Sequence, residues 1–136
     1  MTIDAVCIGD SIAVGINTYL PCVELRAVSG ASSSKIIDLA PGVWHKVCVI
    51  SAGSNDLLAS GAANPNLADN LKHIRNQSNC EFYVWIEPAN SIVASVVAKE
   101  AAYHSDNVVT FTPSSDGVHP ASSKTLAGSI LSITGN

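Results

Sequence analysis

The stretch I-D-A-V-C-I-G-D-S, residues 3 to 11, decides how the rest of the chain is interpreted. Its first six residues form an apolar run that predicts a buried strand. Gly9 and Asp10 then break the run, and Ser11 opens a second apolar segment that is better interpreted as a helix. We therefore expect Ser11 to lie just beyond the carboxyl end of a first strand.

Strand-like and helix-like segments alternate along the rest of the chain. Further strands are predicted at residues 23–28, 46–51, 81–86 and 108–111. Helices are predicted at residues 11–20, 66–77, 90–104 and 120–133. Because strands that alternate with helices form right-handed crossovers, this pattern predicts a five-stranded parallel sheet covered on both faces, a three-layer α/β/α sandwich. No linker or repeat interrupts the pattern, so residues 1–136 are interpreted as a single domain.

The composition fits a folded α/β domain and argues against several classes of function. Hydrophobic residues make up 47% and charged residues 13% of the chain, so we expect a self-sufficient core, with some apolar surface left for a partner or a second copy of the chain. The net charge is −4 and the seven Lys and Arg residues form no run, which argues against nucleic acid. The glycine patterns of phosphate loops and dinucleotide sites are absent, and no residue cluster has zinc spacing.

The beginning of the chain and its hydropathy bear on localisation. The first residues carry neither a basic region nor a small-residue cleavage site, which argues against a signal peptide. No apolar stretch approaches the roughly 18 residues of a membrane span. We therefore expect a cytoplasmic or virion-associated protein without a membrane span.

The four cysteines have no C-x-x-C spacing. Cys7 and Cys48 lie inside apolar, strand-like runs, where a cysteine usually behaves as a small buried hydrophobe. We therefore expect buried free thiols at Cys7, Cys22, Cys48 and Cys80, which suits a reducing compartment.

Chemistry is expected at the carboxyl ends of the strands, because ligands bind there in open parallel sheets. Ser11 follows the first strand, and the segment D-G-V-H, residues 116–119, follows the last. A serine hydroxyl becomes a strong nucleophile when a base removes its proton and a third group orients that base. The three-residue spacing lets Asp116 reach Nδ1 of His119 while Nε2 points toward Ser11.

Attack on an ester carbonyl creates an oxyanion, which requires preorganised hydrogen-bond donors. Three candidates occupy neighbouring strand ends. The Ser11 amide lies at a helix N-terminus, the Gly30 amide can approach a ligand closely because glycine has no Cβ, and Asn55 brings a side-chain NH2 group. We therefore expect an oxyanion hole built from these three residues.

The four blocks, in this order, resemble those of the SGNH (GDSL-type) hydrolase family: G-D-S, a glycine after the second strand, G-S-N-D after the third, and D-G-V-H. The resemblance covers nearly the whole chain. It implies a flavodoxin-like fold with Ser11 as the nucleophile and Gly30 and Asn55 as oxyanion donors. Asp116 and His119 would complete the catalytic triad, and the reaction would need no cofactor. Because the chain is short for this family, we expect an open cleft that suits a small acyl group or a large substrate lying across the edge.

We therefore expect a serine esterase that hydrolyses small acyl esters, such as acetyl groups on a carbohydrate, through an acyl-enzyme. A first alternative is a catalytically inactive domain of the same fold that binds a glycan or joins an assembly such as a virion. A second alternative is a thioesterase or lysophospholipase, which would require an apolar channel beside Ser11.

Several residues near these blocks also have a structural interpretation. Ser11 taken alone suits a helix N-cap as well as a nucleophile. Asp10 and Asp56 are expected to bond loop amides and helix starts, and the serines at 32–34 are expected to cap the helix that follows them. The remaining histidines have no orienting partner at useful spacing and are interpreted as packing or surface residues: His45, His73 and His104.

Overall fold

The computed structural model describes residues 3–40 and 42–134, in which strands and helices alternate as the sequence predicts. The strands are β1 (Ile3–Gly9), β2 (Cys22–Ala27), β3 (Trp44–Ser51), β4 (Asn79–Ile86) and β5 (Asn107–Val109). The helices are α1 (Ser11–Ile16), α2 (Ser33–Leu39), α3 (Leu67–Gln77), α4 (Ser91–Tyr103) and α5 (Ser123–Thr134). All neighbouring strands are parallel, in the order β2-β1-β3-β4-β5, which is the flavodoxin-like order.

Two hydrophobic layers cover the sheet and account for its burial on both faces. On one face, side chains such as Ile8 and Ile50 pack with residues of α2, α3 and α4, including Leu71. On the other face, side chains such as Val49 pack with residues of α1 and α5, including Ile130. The apolar side chains of α3, which are Leu67, Leu71 and Ile74, are buried on the first of these faces. The three-layer α/β/α sandwich is therefore confirmed.

The first helix is shorter than its apolar pattern predicts. It ends at Ile16, whose carbonyl oxygen accepts hydrogen bonds from the amides of both Tyr19 (2.9 Å) and Leu20 (2.7 Å). Those bonds close a turn immediately before Pro21, which has no N–H to continue a helix. Leu20 still packs in the core. Its apolar side chain is therefore explained by burial and does not indicate that the helix continues.

The four cysteines form two disulfide bonds, so the prediction of free thiols is wrong. Cys7 is bonded to Cys22 and Cys48 to Cys80, and each bond joins two neighbouring strands. The partners are 15 and 32 residues apart in sequence, and it is strand pairing that brings them together. Because disulfides persist in oxidising environments, the cysteines no longer favour a reducing compartment.

Within the described ranges, no helix has the length and apolar character needed to cross a membrane.

Candidate active site

Ser11 is half-buried and follows the end of β1 through a turn that requires glycine. Gly9 has a φ of +141°, and a Cβ at this position would lie 1.9 Å from the carbonyl oxygen of Ser51. Asp10, and not Ser11, caps α1: its Oδ1 accepts hydrogen bonds from the amide of Ile12 (3.1 Å) and the hydroxyl of Ser51 (2.7 Å). The capping role that Ser11 could have played is therefore filled, and its hydroxyl is free for another partner.

That partner is His119, which lies in the segment between β5, at one edge of the sheet, and α5. The chain leaves β5 and crosses back toward α1, because α5 packs beside α1 in the same hydrophobic layer. Nε2 of His119 lies 2.8 Å from Oγ of Ser11. The sheet order and the packing of α5 thus bring together two side chains from opposite ends of the chain.

The loop that carries His119 is closed on itself. The amide of Ser114 donates to the carbonyl oxygen of His119 (2.8 Å), and Pro113 forms an isolated bridge with Pro120. Gly117, with a φ of +72°, makes the tight turn between them. The backbone of this segment therefore fixes the distance between Asp116 and His119.

Asp116 is held by hydrogen bonds on both of its carboxylate oxygens. Oδ1 accepts from the amides of Val118 (2.8 Å) and His119 (2.9 Å) and from the hydroxyl of Ser114 (2.8 Å). Oδ2 lies 2.7 Å from Nδ1 of His119. These bonds, the two backbone amides foremost, hold the pKa of Asp116 well below its usual range.

The charge of Asp116 fixes the proton arrangement of His119. An ionised carboxylate only accepts hydrogen bonds, so Nδ1 of His119 must carry the proton that faces Asp116. Neutral His119 then presents Nε2 as an acceptor to the hydroxyl of Ser11. The side chains of His119 and Asp116 are 47% and 50% exposed, so this hydrogen-bonded chain lies at an open surface and not in a deep pocket.

The expected oxyanion donors lie on the loops after three adjacent strands, in the order β2, β1, β3. Gly30 is an exposed residue that follows β2 with a φ of +81°, and among the described residues its N–H has no hydrogen-bond partner. Ser11 is the first residue of α1, where the N–H has no partner within the helix. Asn55 follows β3, and its side-chain nitrogen donates to the carbonyl oxygen of Ala31 (3.0 Å), which leaves its second hydrogen for a ligand.

Two sets of predictions about neighbouring residues need correction. The serine segment at 32–34 does not cap α2 with a side chain, because the amide of Ser33 donates instead to Oδ1 of Asp56 (2.8 Å). The prediction that the other histidines lack orienting partners is wrong for two of them. His45 lies 2.8 Å from a Glu24 oxygen, and His104 lies 2.7 Å from a Glu100 oxygen.

Sequence reasoning missed Ser114 as a partner of Asp116. Its position two residues before an aspartate in a Gly-containing turn is the local signal that could have identified it.

Within the described ranges, no group of three or more His, Cys, Asp or Glu side chains is arranged to hold a metal ion.

A small cavity lies beside the candidate site. It has a volume of about 110 Å³ and is bordered by the loops after β3, β4 and β5, with Leu57, Pro88 and Val118 as its apolar wall. Val118 precedes His119 and Leu57 lies two residues after Asn55. The cavity is therefore next to both the base and one expected oxyanion donor.

Comparison with known proteins bears on the fold. No protein-family model and no curated protein matches the chain. A solved structure of a member of the lipolytic protein G-D-S-L family from Veillonella parvula is similar to it, with a TM-score of 0.65, 14% identity and 98% of each chain covered. The C-terminal catalytic domain of peptidoglycan O-acetyltransferase A from Streptococcus pneumoniae is similar with a TM-score of 0.58 and 16% identity, over 97% of this chain and 92% of that one. The chain thus shares its fold with a member of the G-D-S-L family that its sequence blocks resemble.

Proposed function

We propose that this protein is a serine esterase that hydrolyses small acyl esters, such as acetyl esters on a carbohydrate, through a covalent acyl-enzyme. The observation that carries the proposal is the continuous hydrogen-bonded chain from Ser11 through His119 to Asp116, with distances of 2.8 and 2.7 Å. A hydroxyl, an imidazole and an ionised carboxylate in this order form the arrangement that activates a serine for acyl transfer.

In the first half of the reaction, Oγ of Ser11 attacks the carbonyl carbon while Nε2 of His119 takes its proton. The tetrahedral intermediate places negative charge on the former carbonyl oxygen, where the amides of Ser11 and Gly30 and the side chain of Asn55 can donate. The carbon–oxygen bond to the alcohol then breaks, and His119 returns the proton to the leaving alkoxide. The negative charge of Asp116 stabilises the imidazolium that forms in between.

In the second half, water replaces the alcohol. His119 takes a proton from the water as its oxygen attacks the acyl carbon, and the same donors stabilise the new oxyanion. The bond to Ser11 then breaks and the proton returns to Oγ, which releases the carboxylic acid. The exposure of His119 gives water direct access to the acyl-enzyme.

The cavity beside the site favours a short acyl group. Its volume of about 110 Å³ is well below the roughly 300–1,000 Å³ of pockets that hold drug-sized ligands. A larger cavity, of about 610 Å³, is bordered by side chains of α3 and α4 and by none of the strand-end loops that carry the candidate site. These dimensions support an acetyl or similarly short esterase over a thioesterase or lysophospholipase that holds a long chain.

The similarity to an O-acetyltransferase domain suggests acyl transfer to a second alcohol as another candidate function. The specific observation in its favour is the exposure of His119 and Asp116, since a large acceptor such as a glycan hydroxyl could approach the acyl-enzyme as readily as water does. A catalytically inactive binding domain is less well supported, because binding alone would not require a serine hydroxyl within hydrogen-bond distance of an oriented imidazole.

Hydrolysis of p-nitrophenyl acetate by the wild-type protein and by Ser11→Ala tests the proposal. We expect the substitution to lower kcat by at least about 1,000-fold, because the nucleophile is lost while the fold is kept. Ser95→Ala, which changes an exposed serine on α4, is the matched control and should keep full activity. Full activity of Ser11→Ala, or no hydrolysis of any short ester or transfer to any alcohol by the wild-type protein, would overturn the proposal.

A further inference from the structure

A buried carboxylate joins the two loops that carry Gly30 and Asn55. Asp56 follows Asn55 directly and is only 2% exposed. Its Oδ1 accepts a hydrogen bond from the amide of Ser33 (2.8 Å), and its Oδ2 accepts one from the hydroxyl of Ser33 (2.5 Å). Ser33 lies three residues after Gly30 and is the first residue of α2, so both bonds join the Asn55 loop to the end of the Gly30 loop, where α2 begins.

The Ser33 side of this connection is fixed by further contacts. Ser33 is fully buried, and its Oγ also accepts a hydrogen bond from the side-chain nitrogen of Asn70 on α3 (2.9 Å). On the Asp56 side, the backbone carbonyl oxygen accepts from the amide of Asn64 (2.7 Å), and Oδ2 lies 3.4 Å from the side-chain nitrogen of Asn64. The carboxylate is thus surrounded by donors that allow it one orientation.

A second connection runs parallel to the first. The side chain of Asn55 donates to the carbonyl oxygen of Ala31, at 3.0 Å, between Gly30 and Ser33. Two consecutive residues of one loop, Asn55 and Asp56, therefore bind the backbone of the other loop at positions two residues apart. With both connections in place, neither loop can move without the other.

We propose that Asp56 is a positioning residue for the oxyanion hole, which sets the distance between the Gly30 amide and the Asn55 side chain. The proposal rests on the proposed esterase function. Donors stabilise a developing oxyanion only when they lie within about 2.7–3.1 Å of it, and misplacement by about 1 Å can cost on the order of 100-fold in rate. Hydrogen bonds that a buried carboxylate accepts are charge-assisted and stronger than neutral ones, and they therefore suit this role. Because Asp56 is buried, it acts through Asn55 and Gly30 and does not touch the substrate.

The substitution Asp56→Asn tests this role, because it keeps the shape of the side chain and removes its charge. One of the two oxygens becomes an NH2 group that must donate where Asp56 accepted, and both connections lose the negative charge that strengthens them. We expect kcat for p-nitrophenyl acetate to fall by roughly 10- to 100-fold while KM changes by less than about three-fold, since the donors act mainly on the transition state.

The matched control is Glu100→Gln, which changes a carboxylate that is equally buried (4% exposed) and hydrogen-bonded, but lies on α4 and binds His104 and Lys72. If Asp56 acts only on stability, both substitutions should lower the melting temperature and neither should lower kcat at a temperature where the proteins are folded. We expect kcat to fall for Asp56→Asn alone.

A double-substitution cycle shows whether Asp56 acts through Asn55. In the background of Asn55→Ala, which removes the side-chain donor, the further loss caused by Asp56→Asn should shrink to a few-fold, because coupled residues are not additive. If Asp56→Asn does not fold, Ser33→Ala removes the hydroxyl connection alone and should lower kcat in the same direction by a smaller factor.

The outcomes separate this inference from the proposed function. An active wild-type protein whose kcat is unchanged in Asp56→Asn, or in Ser33→Ala when Asp56→Asn does not fold, would overturn the positioning role and leave the esterase proposal in place. Full additivity with Asn55→Ala would also overturn it. A wild-type protein that neither hydrolyses nor transfers the acetyl group would instead contradict the esterase proposal itself.

Discussion

Nε2 of His119 lies 2.8 Å from Oγ of Ser11, although 108 residues separate the two in the chain. This contact depends on three structural features. Asp10 fills the capping position of α1 and so frees the hydroxyl of Ser11. The packing of α5 beside α1 returns the last loop to β1, and the charge of Asp116 holds the proton of His119 on Nδ1.

The turns at Gly9 and Gly30 should require glycine for different reasons. Gly9→Ala places a Cβ 1.9 Å from the Ser51 carbonyl oxygen at a φ of +141°, so we expect a loss of roughly 3 kcal/mol or more in unfolding free energy. Gly30→Ala meets no atom within 4 Å and should cost only the strain of its φ of +81°, about 1–2 kcal/mol.

Chemical denaturation of the two variants measures these losses, with Gly128→Ala as a control. Gly128 lies within α5 and a Cβ there would meet no neighbouring atom, so this variant should gain up to about 1 kcal/mol from helix propensity. Equal losses for Gly9→Ala and Gly30→Ala would show that the close contact with Ser51 is not what requires glycine.

Ser114 should support the orientation of Asp116. Ser114→Ala removes one of three hydrogen bonds to Oδ1, while the amides of Val118 and His119 remain and keep Asp116 ionised. We expect kcat for an acetate ester to fall roughly two- to ten-fold with KM nearly unchanged. Ser115→Ala, one residue further along, is the control, since among the described residues Ser115 makes no side-chain hydrogen bond. If Ser114→Ala kept the kcat of the wild-type protein, Ser114 would have no role in orienting Asp116.

The small cavity should set the acyl length. With p-nitrophenyl esters of increasing length, we expect kcat/KM to fall as the acyl chain lengthens, because the cavity is small for a ligand pocket. Val118→Ala enlarges the cavity and should raise the hexanoate-to-acetate ratio of kcat/KM by roughly ten-fold. Val43→Ala, which shortens a valine that is 62% exposed and outside the cavity, should leave the ratio unchanged. A rate that rises steadily with chain length in the wild-type protein would favour a thioesterase or lysophospholipase.

Asp10 should make the protein less stable as the pH rises. Burial raises the pKa of Asp10 to about 6 from an ordinary value of 3.8, and among the described residues its Oδ2 has no partner. The folded state therefore holds the proton more tightly than the unfolded chain does. The stabilisation is fully present below about pH 4 and is lost as the pH rises through about 6, by about 3 kcal/mol in total.

This loss can be measured as a difference in unfolding free energy between the wild-type protein and Asp10→Asn, whose side chain at position 10 cannot titrate. Urea denaturation from pH 4 to pH 7.5 should show the wild-type protein losing stability relative to this variant. Asp116→Asn should show the opposite pH dependence. Because the pKa of Asp116 is lowered in the folded state, the stability that the wild-type protein gains from this carboxylate is lost as the pH falls. A pH-independent difference between the wild-type protein and Asp10→Asn would contradict the burial of an ionisable Asp10.

The candidate site was predictable from sequence because its residues follow strand ends, and parallel strands bring their carboxyl ends to one edge. Ser11, Asp116 and His119 were expected from their joint occurrence at such strand ends, and they lie within hydrogen-bond distance of one another in this order: Ser11, His119, Asp116. The disulfides could not, because Cys7 and Cys22 meet only through strand pairing. The expectation that Asp56 bonds a helix start is confirmed at α2, but the helix concerned begins at Ser33, 23 residues before Asp56, and that pairing depends on packing. What escapes prediction here is the set of polar contacts that depend on packing between elements.

Labelling with a fluorophosphonate probe tests the central claim most directly, because the probe forms a covalent bond only with an activated serine. Intact-mass measurement followed by peptide mapping should show a single adduct on Ser11 in the wild-type protein. No adduct should form on Ser11→Ala, and labelling of His119→Ala should be slower by about 1,000-fold or more. A wild-type protein that stays unlabelled, or one that is labelled at a different serine, would contradict the account.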